Sequence, residues 1–445
     1  MNDKAIKIVT RLRNKGFEAL FAGGCVRDML LGHMPKDFDI ATSAKPDEVR
    51  ALFPKTFAVG ESFGVIIVVE GGEHFEVATF RKDSETSDGR RPDSVEFTSA
   101  FRDARRRDLT INGLFLDPLT GEVIDFVHGM DDIETKTVRF IGHPEERIKE
   151  DKLRMLRAIR FASKEGFSMT TETELAIRKH LLDIHVVSSE RIREELEKML
   201  LLPVPSKAFN LMFETGILWE ILSELAILDQ IPQNPKWHKE GNAFVHTMLA
   251  IDTARKLSDD PIVMWGALFH DLGKGEPIVD ENGKLIFHGH DEKGMDIADE
   301  VLRRLKFSNE DRITITSIVA DHMRVKHLPE MRKSKVRYLM SRDHFDRLLL
   351  VSDIDSRSSL HENHLDDLGK RTFVTFAENF ENTLEGEEIM PKPFITGNDL
   401  IALGLKPGPK LGAILKVVSD LQLDGIITSR EMALDAVEEH LEEVW

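Results

Sequence analysis

The hydrophobic pattern changes period near Pro144, and this change constrains the fold more than any other feature of the chain. Before it, short runs rich in β-branched and aromatic residues alternate with turns: VIIVV at 65–69, HFEVATF at 74–80 and GEVIDF at 121–126. After it, DKLRMLRAIRFA, ELAIRKHLL and SERIREELEKMLL place apolar residues at helical spacing. The pattern predicts an α+β chain, with a strand-containing head followed by helices. Breaks with Pro and Gly then divide the helical part. LLPVPSK carries two prolines, IPQNPKWHKEGN is the clearest linker, with Pro232, Pro235 and Gly241, and EGEEIMPKPFITGND precedes a short helical tail. Four parts are expected: a head at 1–142, a neck at 143–230, a second all-helical domain at 231–375 and a tail at 376–445.

Composition narrows the class. The 445 residues suffice for several domains of roughly 100–200 residues. No apolar run approaches the ~18 residues of a membrane span, and the charged N-terminal stretch lacks a signal peptide's apolar core, so a cytoplasmic protein with no membrane partner is expected. The single cysteine, Cys25, excludes an intrachain disulfide and a cysteine-based zinc site. A net charge of −18 sits awkwardly with a polyanion partner, but the charge is uneven. Arg102, Arg105, Arg106 and Arg107 cluster, as do Arg147, Lys149, Lys152, Arg154, Arg157 and Arg160, while acid concentrates in the last quarter. Local charge decides where a polyanion docks.

In FEALFAGGCVRDMLLG an apolar run meets Gly23-Gly24 and then a helical pattern. A strand, a glycine turn and a helix N-terminus form a phosphate cradle, and Arg27 in the first turn can grip a triphosphate. In KDFDIAT, strand alternation puts Asp37 and Asp39 on one face and Phe38 and Ile40 on the other. Two carboxylates side by side repel unless a cation sits between them, and Mg²⁺ accepts a few carboxylates together with substrate phosphates. The arrangement suits two-metal phosphoryl transfer. Each feature alone is common: a Gly-Gly turn is usually only a turn, and D-x-D is often a solvated loop.

Taken together, the Gly-Gly-x-Val-Arg-Asp element and the Asp-x-Asp nine residues later resemble the head of the class II nucleotidyltransferases, the family of CCA-adding enzymes and bacterial poly(A) polymerases. Further motifs follow in that family's order: Arg106-Arg107-Asp108-Leu-Thr-Ile-Asn112-Gly, then Glu150-Asp151-Lys-Leu-Arg154-Met-Leu-Arg157-Ala-Ile-Arg160-Phe-Ala, then Ser189-Glu190-Arg191-Ile192-Arg193-Glu194-Glu195. The resemblance covers about the first half of the chain. It implies a small mixed-sheet head with Asp37 and Asp39 as catalytic, Mg²⁺-binding carboxylates. It also implies nucleotide contacts from Gly24, Arg27, Arg107, Asp108, Asp151, Arg154, Arg157 and Arg160, with Asp151 and Arg154 reading the base. The spacing of Asp151, Arg154 and Arg157 places them along one side of a helix, with Leu153, Leu156 and Ile159 on the other. Unaided, this spacing also fits an intrahelical salt-bridge ladder. The SERIREELEKML helix reads as a structural brace, with Arg193–Glu197 and Glu194–Lys198 pairs and an Ile192, Leu196, Leu200 stripe.

The stretch at 59–66, VGESFGVI, is similar to the tRNA enzymes rather than to the basic element of poly(A) polymerases. The segment 80–97 resembles a loop that CCA- and A-adding enzymes have and CC-adding enzymes lack. The implied partners are tRNA, CTP and ATP. Full CCA addition and A-only addition both stay open, and a poly(A) polymerase is the alternative within the family.

Downstream, His246, His270-Asp271, His290, His322 and Asp353 lie on helical runs and offer nitrogen and oxygen ligands for a divalent metal. The order His, His-Asp, Asp resembles the HD phosphohydrolase superfamily, with His246, His270, Asp271 and Asp353 as metal ligands and His290 and His322 as ligands of a second metal. Lys274, in HDLGK, fits that pattern. The resemblance implies a metal-dependent phosphodiesterase or phosphatase, and a nucleotide hydrolase with a merely sensing head is the alternative from another class. The tail turn LGLKPGPKLG carries Lys406 and Lys410, which can meet RNA phosphates or simply cap a turn.

Overall fold

A computed structural model describes residues 2–58, 64–83, 95–164, 166–236, 238–281, 283–360, 372–384 and 386–443. Positions 59–63 of the VGESFGVI stretch and 84–94 of the 80–97 loop lie outside the described residues. The chain divides into two units, Met1–Ala226 and Ile227–Trp445.

In the first unit the strand-like runs become β1 (Ala19–Ala22), β2 (Ile40–Thr42), β3 (Thr56–Ala58), β4 (Val65–Glu70), β5 (Glu73–Thr79), β6 (Arg81–Asp83), β7 (Val95–Phe97), β8 (Phe115–Leu116) and β9 (Val123–Ile124). Seven of them form one mixed sheet in the order β3-β4-β5-β2-β1-β8-β9, while β6 and β7 pair as a separate ribbon. Only β2 and β5 run parallel in that sheet, with Ile40 opposite Val77. Every residue of β1 is buried, which suits a strand central to the sheet. Leu20, Ala41, Phe80, Ala104 and Phe115 share one core, and Phe80 meets Phe115 edge to face at 5.9 Å. Burial of each such phenyl ring contributes about 1.5–3 kcal/mol.

Helices Pro144–Glu150, Arg154–Ala162, Thr171–Lys179, Ser189–Leu200 and Ser206–Thr215 follow. The motif around Asp151 is not one continuous helix: Asp151 ends the first of these helices in an extended conformation, and its Oδ1 accepts Leu153 N at 3.1 Å. A short acidic side chain that takes backbone N–H groups competes with the helical ladder and starts a new helix instead. The apolar side of the second helix behaves as expected, since Leu153, Leu156 and Ile159 are buried.

The second unit is mostly helical, not all-helical as expected for 231–375: Ile278–Val279 and Leu285–Ile286 pair as a short antiparallel hairpin ahead of the helix that begins at His290. The core of this unit holds Ala243–Leu257, Pro261–Phe269, His290–Arg304, Asn309–Val325 and Phe345–Ser358. Asn242, Asp260 and Ser308 cap three of these by accepting Val245 N, Ile262 N and Asp311 N. The helix Pro261–Phe269 is buried from Val263 onward, as an all-round apolar helix must be. The tail helices Gly397–Ala402, Pro409–Leu423 and Arg430–Glu443 enclose a small core of Leu400, Ile414, Val418 and Val437. Lys406 and Lys410 are exposed beside it. No described helix is long and apolar enough to cross a membrane.

Candidate functional site

The first site is a cleft of about 810 Å³ in the first unit. Eight basic side chains and four carboxylates line it, among them Asp37, Asp39, Arg27, Arg107, Asp108, Asp151, Arg154, Arg157 and Arg160. Asp37 and Asp39 sit just before β2 and alternate with the buried Phe38 and Ile40, so the two acids face out together. Crowding by the surrounding chain raises the Asp39 carboxyl to about 6, helped by repulsion from Glu76 and Asp37 and opposed by Arg107. Glu76 stands beside Asp39 because β2 and β5 run parallel, one residue before the Ile40–Val77 pair. Its place in HFEVATF signals a strand, and only the pairing brings its charge to Asp39.

Gly23 makes the turn possible. Its φ is 72°, and a Cβ there would lie 2.7 Å from Arg107 Nη1. The helix Gly24–Leu30 follows and carries Arg27. Each arginine of the cleft is held by an acid or amide. Arg27 donates to Asn112 Oδ1 at 2.6 Å and to Asp28 Oδ1 at 2.6 Å. Asn112 Nδ2 in turn donates to Asp108 at 3.2 Å, and Asp108 accepts Arg157 Nε at 2.7 Å. Burial works against the Asp108 charge, but Arg157 and Arg154 outweigh it and hold the carboxyl far below the ordinary range. Arg107 makes two bonds to the buried Asp103. Arg154 reaches Glu150 at 2.6 Å, and Arg160 reaches the buried Glu195 at 2.7 Å. Fixed guanidinium groups need little reordering when a triphosphate arrives.

The brace helix Ser189–Leu200 takes a direct part. Arg191 grips Asp151 with two nitrogens, at 3.2 and 2.7 Å, and Glu195 anchors both Arg160 and Lys198. Lys198 thus bonds Glu195 rather than forming the i,i+4 pair expected with Glu194, whereas Arg193–Glu197 is present at 3.8 Å. Ile192, Leu196 and Leu200 are buried as a stripe. Arg191 and Glu195 escaped the sequence reading because helix spacing reveals partners one turn away, not partners on another helix.

The second site lies in the second unit. His246, His270, Asp271, His322 and Asp355 are buried, and His290 is half-buried beside them. His246 Nε2 lies 3.1 Å from Asp355 Oδ1 and 3.3 Å from His270 Nε2. His270 Nε2 is 3.2 Å from Asp271 Oδ2, and the other oxygen of Asp271 is 3.8 Å from His290 Nε2. Two groups therefore meet at Asp271: His246, His270 and Asp355 on one side, His290 and His322 on the other. Asp353, the expected fourth ligand, faces elsewhere and pairs with Arg357 at 2.8 Å. Residues two apart on a helix differ by about 200°, so Asp353 and Asp355 cannot both face inward, and it is Asp355 that meets His246 and His270. His290 joins the cluster and the exposed His288 does not.

The ring nitrogens are ordered. Nδ1 of His270, His290 and His322 faces the carbonyl oxygens of Ala267, Phe287 and Val319, at 2.8, 2.9 and 2.6 Å. A carbonyl only accepts, so each Nδ1 carries a proton and each Nε2 is turned inward toward the cluster. Nε2 of His290 and of His322 is buried without a hydrogen-bond partner, a costly state that a cation relieves. Burial disfavours charge on His246, but hydrogen bonds to Asp355 and Glu240 pull its ring up to about 9. Burial and the neighbouring His270 push His322 down to about 3. Positive charge is thus drawn to the carboxylates, where a metal ion would sit. Lys274 Nζ lies 2.6 Å from Asp271 Oδ2, and Lys326 pairs with Asp355. Gly273 lets this turn approach the helix that carries His290, since a Cβ would lie 1.9 Å from the His290 carbonyl oxygen.

Comparison with known proteins finds matches to both halves of the chain. Residues 19–139 match the poly A polymerase head domain, 166–228 match a probable RNA- and SrmB-binding site of polymerase A, and 243–359 match the HD domain. A CCA-adding enzyme of Geobacillus thermodenitrificans is 39% identical over 296 residues, covering 64% of this chain and 69% of that protein. One from Oceanobacillus iheyensis is 48% identical over 200 residues, covering 44% and 49%. In several such relatives the aligned part spans only about half of the relative's length, 53% for that of Geobacillus stearothermophilus. The crystal structure of a Bacillus stearothermophilus CCA-adding enzyme in complex with CTP aligns over 99% of this chain and 98% of that one, with a TM-score of 0.70 and 26% identity. A Thermotoga maritima CCA-adding enzyme complexed with tRNA shares the fold, with a TM-score of 0.58 at 18% identity over 99% and 95% of the two chains. With a nucleotidyltransferase-type cleft in one unit, a histidine–aspartate centre in the other, and a relative matched over two thirds of its length, the chain belongs to the CCA-adding enzymes.

Proposed function

We propose that this chain adds the CCA sequence to the 3′ end of tRNA without a template, using CTP and ATP. The observation that carries this reading is the cleft itself, which two outward-facing carboxylates line together with a set of tethered arginines. Asp37 and Asp39 would hold the catalytic divalent cations, for which we favour Mg²⁺. Such cations supply charge neutralisation for the triphosphate and acidify the attacking tRNA hydroxyl. Arg107, Arg157 and Arg160 bind the triphosphate, and Arg27 orients it beside the Gly23-Gly24 turn. Asp151 and Arg154 read the base edge with an acceptor and donors, so side chains replace a template strand. The head at 1–142, the neck at 143–230 that holds tRNA, the HD domain at 231–375 and the tail at 376–445 are our division of labour, and a cytoplasmic location fits a tRNA substrate.

The test uses purified protein, Mg²⁺ and tRNA transcripts ending before CCA, after CC, and complete, each with CTP, ATP or both. Extension from the bare end to CCA, followed by arrest, is the expected result. Extension of the CC-ended tRNA alone would make it an A-adding enzyme, and long A tails on unrelated RNA a poly(A) polymerase.

The second site supports a further activity, metal-dependent hydrolysis of a phosphate ester, carried by the inward Nε2 atoms of His290 and His322. His246, His270, Asp271 and Asp355 would hold one divalent cation, and Asp271, His290 and His322 a second. The cations supply Lewis-acid stabilisation of the phosphate and lower the pKa of water. Lys274 and Lys326 are placed to meet phosphate oxygens. Hydrolysis of a 2′,3′-cyclic phosphate or of p-nitrophenyl phosphate, lost on Asp271→Ala and restored by an added metal only in the wild type, tests this reading.

A further inference from the structure

Glu240 lies outside the span that matches the HD domain and stands directly behind the metal centre. Its side chain is 1% exposed. One oxygen, Oε1, faces His246 Nδ1 at 2.9 Å and His238 Nδ1 at 2.7 Å. The other, Oε2, accepts Leu360 N at 2.9 Å. Lys239 N donates to Leu360 O at 2.9 Å, so the 238–240 loop is tied on both sides to the chain that leaves the helix bearing Asp355. His246 differs here from His270, His290 and His322, whose Nδ1 atoms meet neutral backbone carbonyls. It is the one of the four whose outer nitrogen meets a carboxylate. His238 in turn lines a separate opening of about 480 Å³ with Gln233 and Asn242, and Gln233 accepts from Lys274 at 2.6 Å.

We infer that Glu240 is a positioning residue of the second site: it keeps the proton of His246 on Nδ1, directs Nε2 toward the metal, and links that ligand through one shared oxygen to His238 at the mouth of the neighbouring pocket. This rests on the reading of the site as a metal centre. A carboxylate behind a ligating imidazole fixes its tautomer and orientation and raises its basicity, so the ion is held more tightly. Placing an acid behind His246 alone strengthens the ligand group that also contains Asp355, and leaves the His290–His322 side softer. The two positions should therefore fill in order, the His246 side first.

The test titrates Co²⁺ into full-length, chelator-stripped protein, with the visible absorption band and calorimetry as readouts. Glu240→Ala is expected to weaken the tighter binding step about 10–100-fold and to alter the absorption band, leaving the weaker step in place. Glu240→Gln, whose amide oxygen still accepts from Nδ1, is expected to recover part of the affinity, and it serves as the test should the alanine variant fail to fold. Melting of the metal-free proteins separates positioning from scaffolding. Unchanged Co²⁺ affinity in both variants, or a drop in metal-free melting with no change in affinity, would overturn the inference. Absence of any Co²⁺ step in the wild type, matched by His270→Ala, would instead bring down the metal centre and this role with it.

Discussion

The two sites use the same elements, acids beside nitrogen bases, and hold them in opposite ways. In the cleft the acids that face the substrate are exposed, and buried acids serve the arginines: Asp103 holds Arg107, Asp108 holds Arg157 and Glu195 holds Arg160. In the second site the acids that face the histidines are buried, and backbone carbonyls or Glu240 meet the outer ring nitrogens. The cleft is built for a large polyanion that arrives and leaves, so charge is displayed and screened by water. The second centre is buried, where low dielectric strengthens each contact and makes an unpaired polar atom expensive.

The largest effect that would sharpen this contrast comes from Asp37→Ala. Loss of several kcal/mol of cation-mediated stabilisation corresponds to roughly a thousandfold or more in rate. Nucleotide incorporation should fall by that much while Co²⁺ titration of the second site stays at the wild-type value. If incorporation survives, the cleft is not the polymerase centre. Next is His270→Ala, which removes a ligand and leaves Asp271 and Asp355 buried together. Metal affinity of the second site should drop at least ~100-fold, with incorporation into tRNA unaffected.

A smaller effect is expected for Asp108→Asn, which leaves Arg157 without its acid. Arg157 is partly exposed, so the loss should be about 1–3 kcal/mol in unfolding free energy. The folded carboxyl is held below its unfolded value, so its contribution is complete above the unfolded pKa of about 4 and fades as pH falls below it. Denaturant melts of wild type and variant should thus differ by a nearly constant amount from about pH 5 to 8, and the gap should narrow steadily as pH falls below about 4 toward the depressed pKa of the folded state. A gap that does not narrow at all between about pH 5 and about pH 3 would mean that packing, not charge, is at stake. The smallest effect is that of Arg191→Ala, which frees the Asp151 carboxylate. Discrimination between CTP and ATP at each step should change by about tenfold, the equivalent of ~1.4 kcal/mol. Single-nucleotide incorporation rates on tRNA ending before CCA and after CC would show it, and an unaltered ratio would mean that Arg191 only braces the neck.

Much of this was readable in the chain. The switch from strand to helix near Pro144 survives as a sheet followed by helices, and the alternation in KDFDI places Asp37 and Asp39 outward with Phe38 and Ile40 inward. The apolar run before His270 becomes a buried helix that ends at that residue. These are local matters, settled by the periods of 2 and 3.6 residues and by capping side chains. Other features depend on what lies across the fold. Whether Asp353 or Asp355 faces the histidines turns on the rotation of one helix about its axis, and D-I-D reads equally well both ways. Glu76 reaches Asp39 through a parallel strand pair, Arg191 reaches Asp151 from a helix forty residues on, and Glu240 reaches His246 from a linker. The sequence by itself determined which residue types face out, which segments are helix or strand, and which chemistry the chain carries. Only the tertiary structure decided which acid meets which base, because a charge selects its partner by distance and burial, and neither quantity exists until the segments have packed.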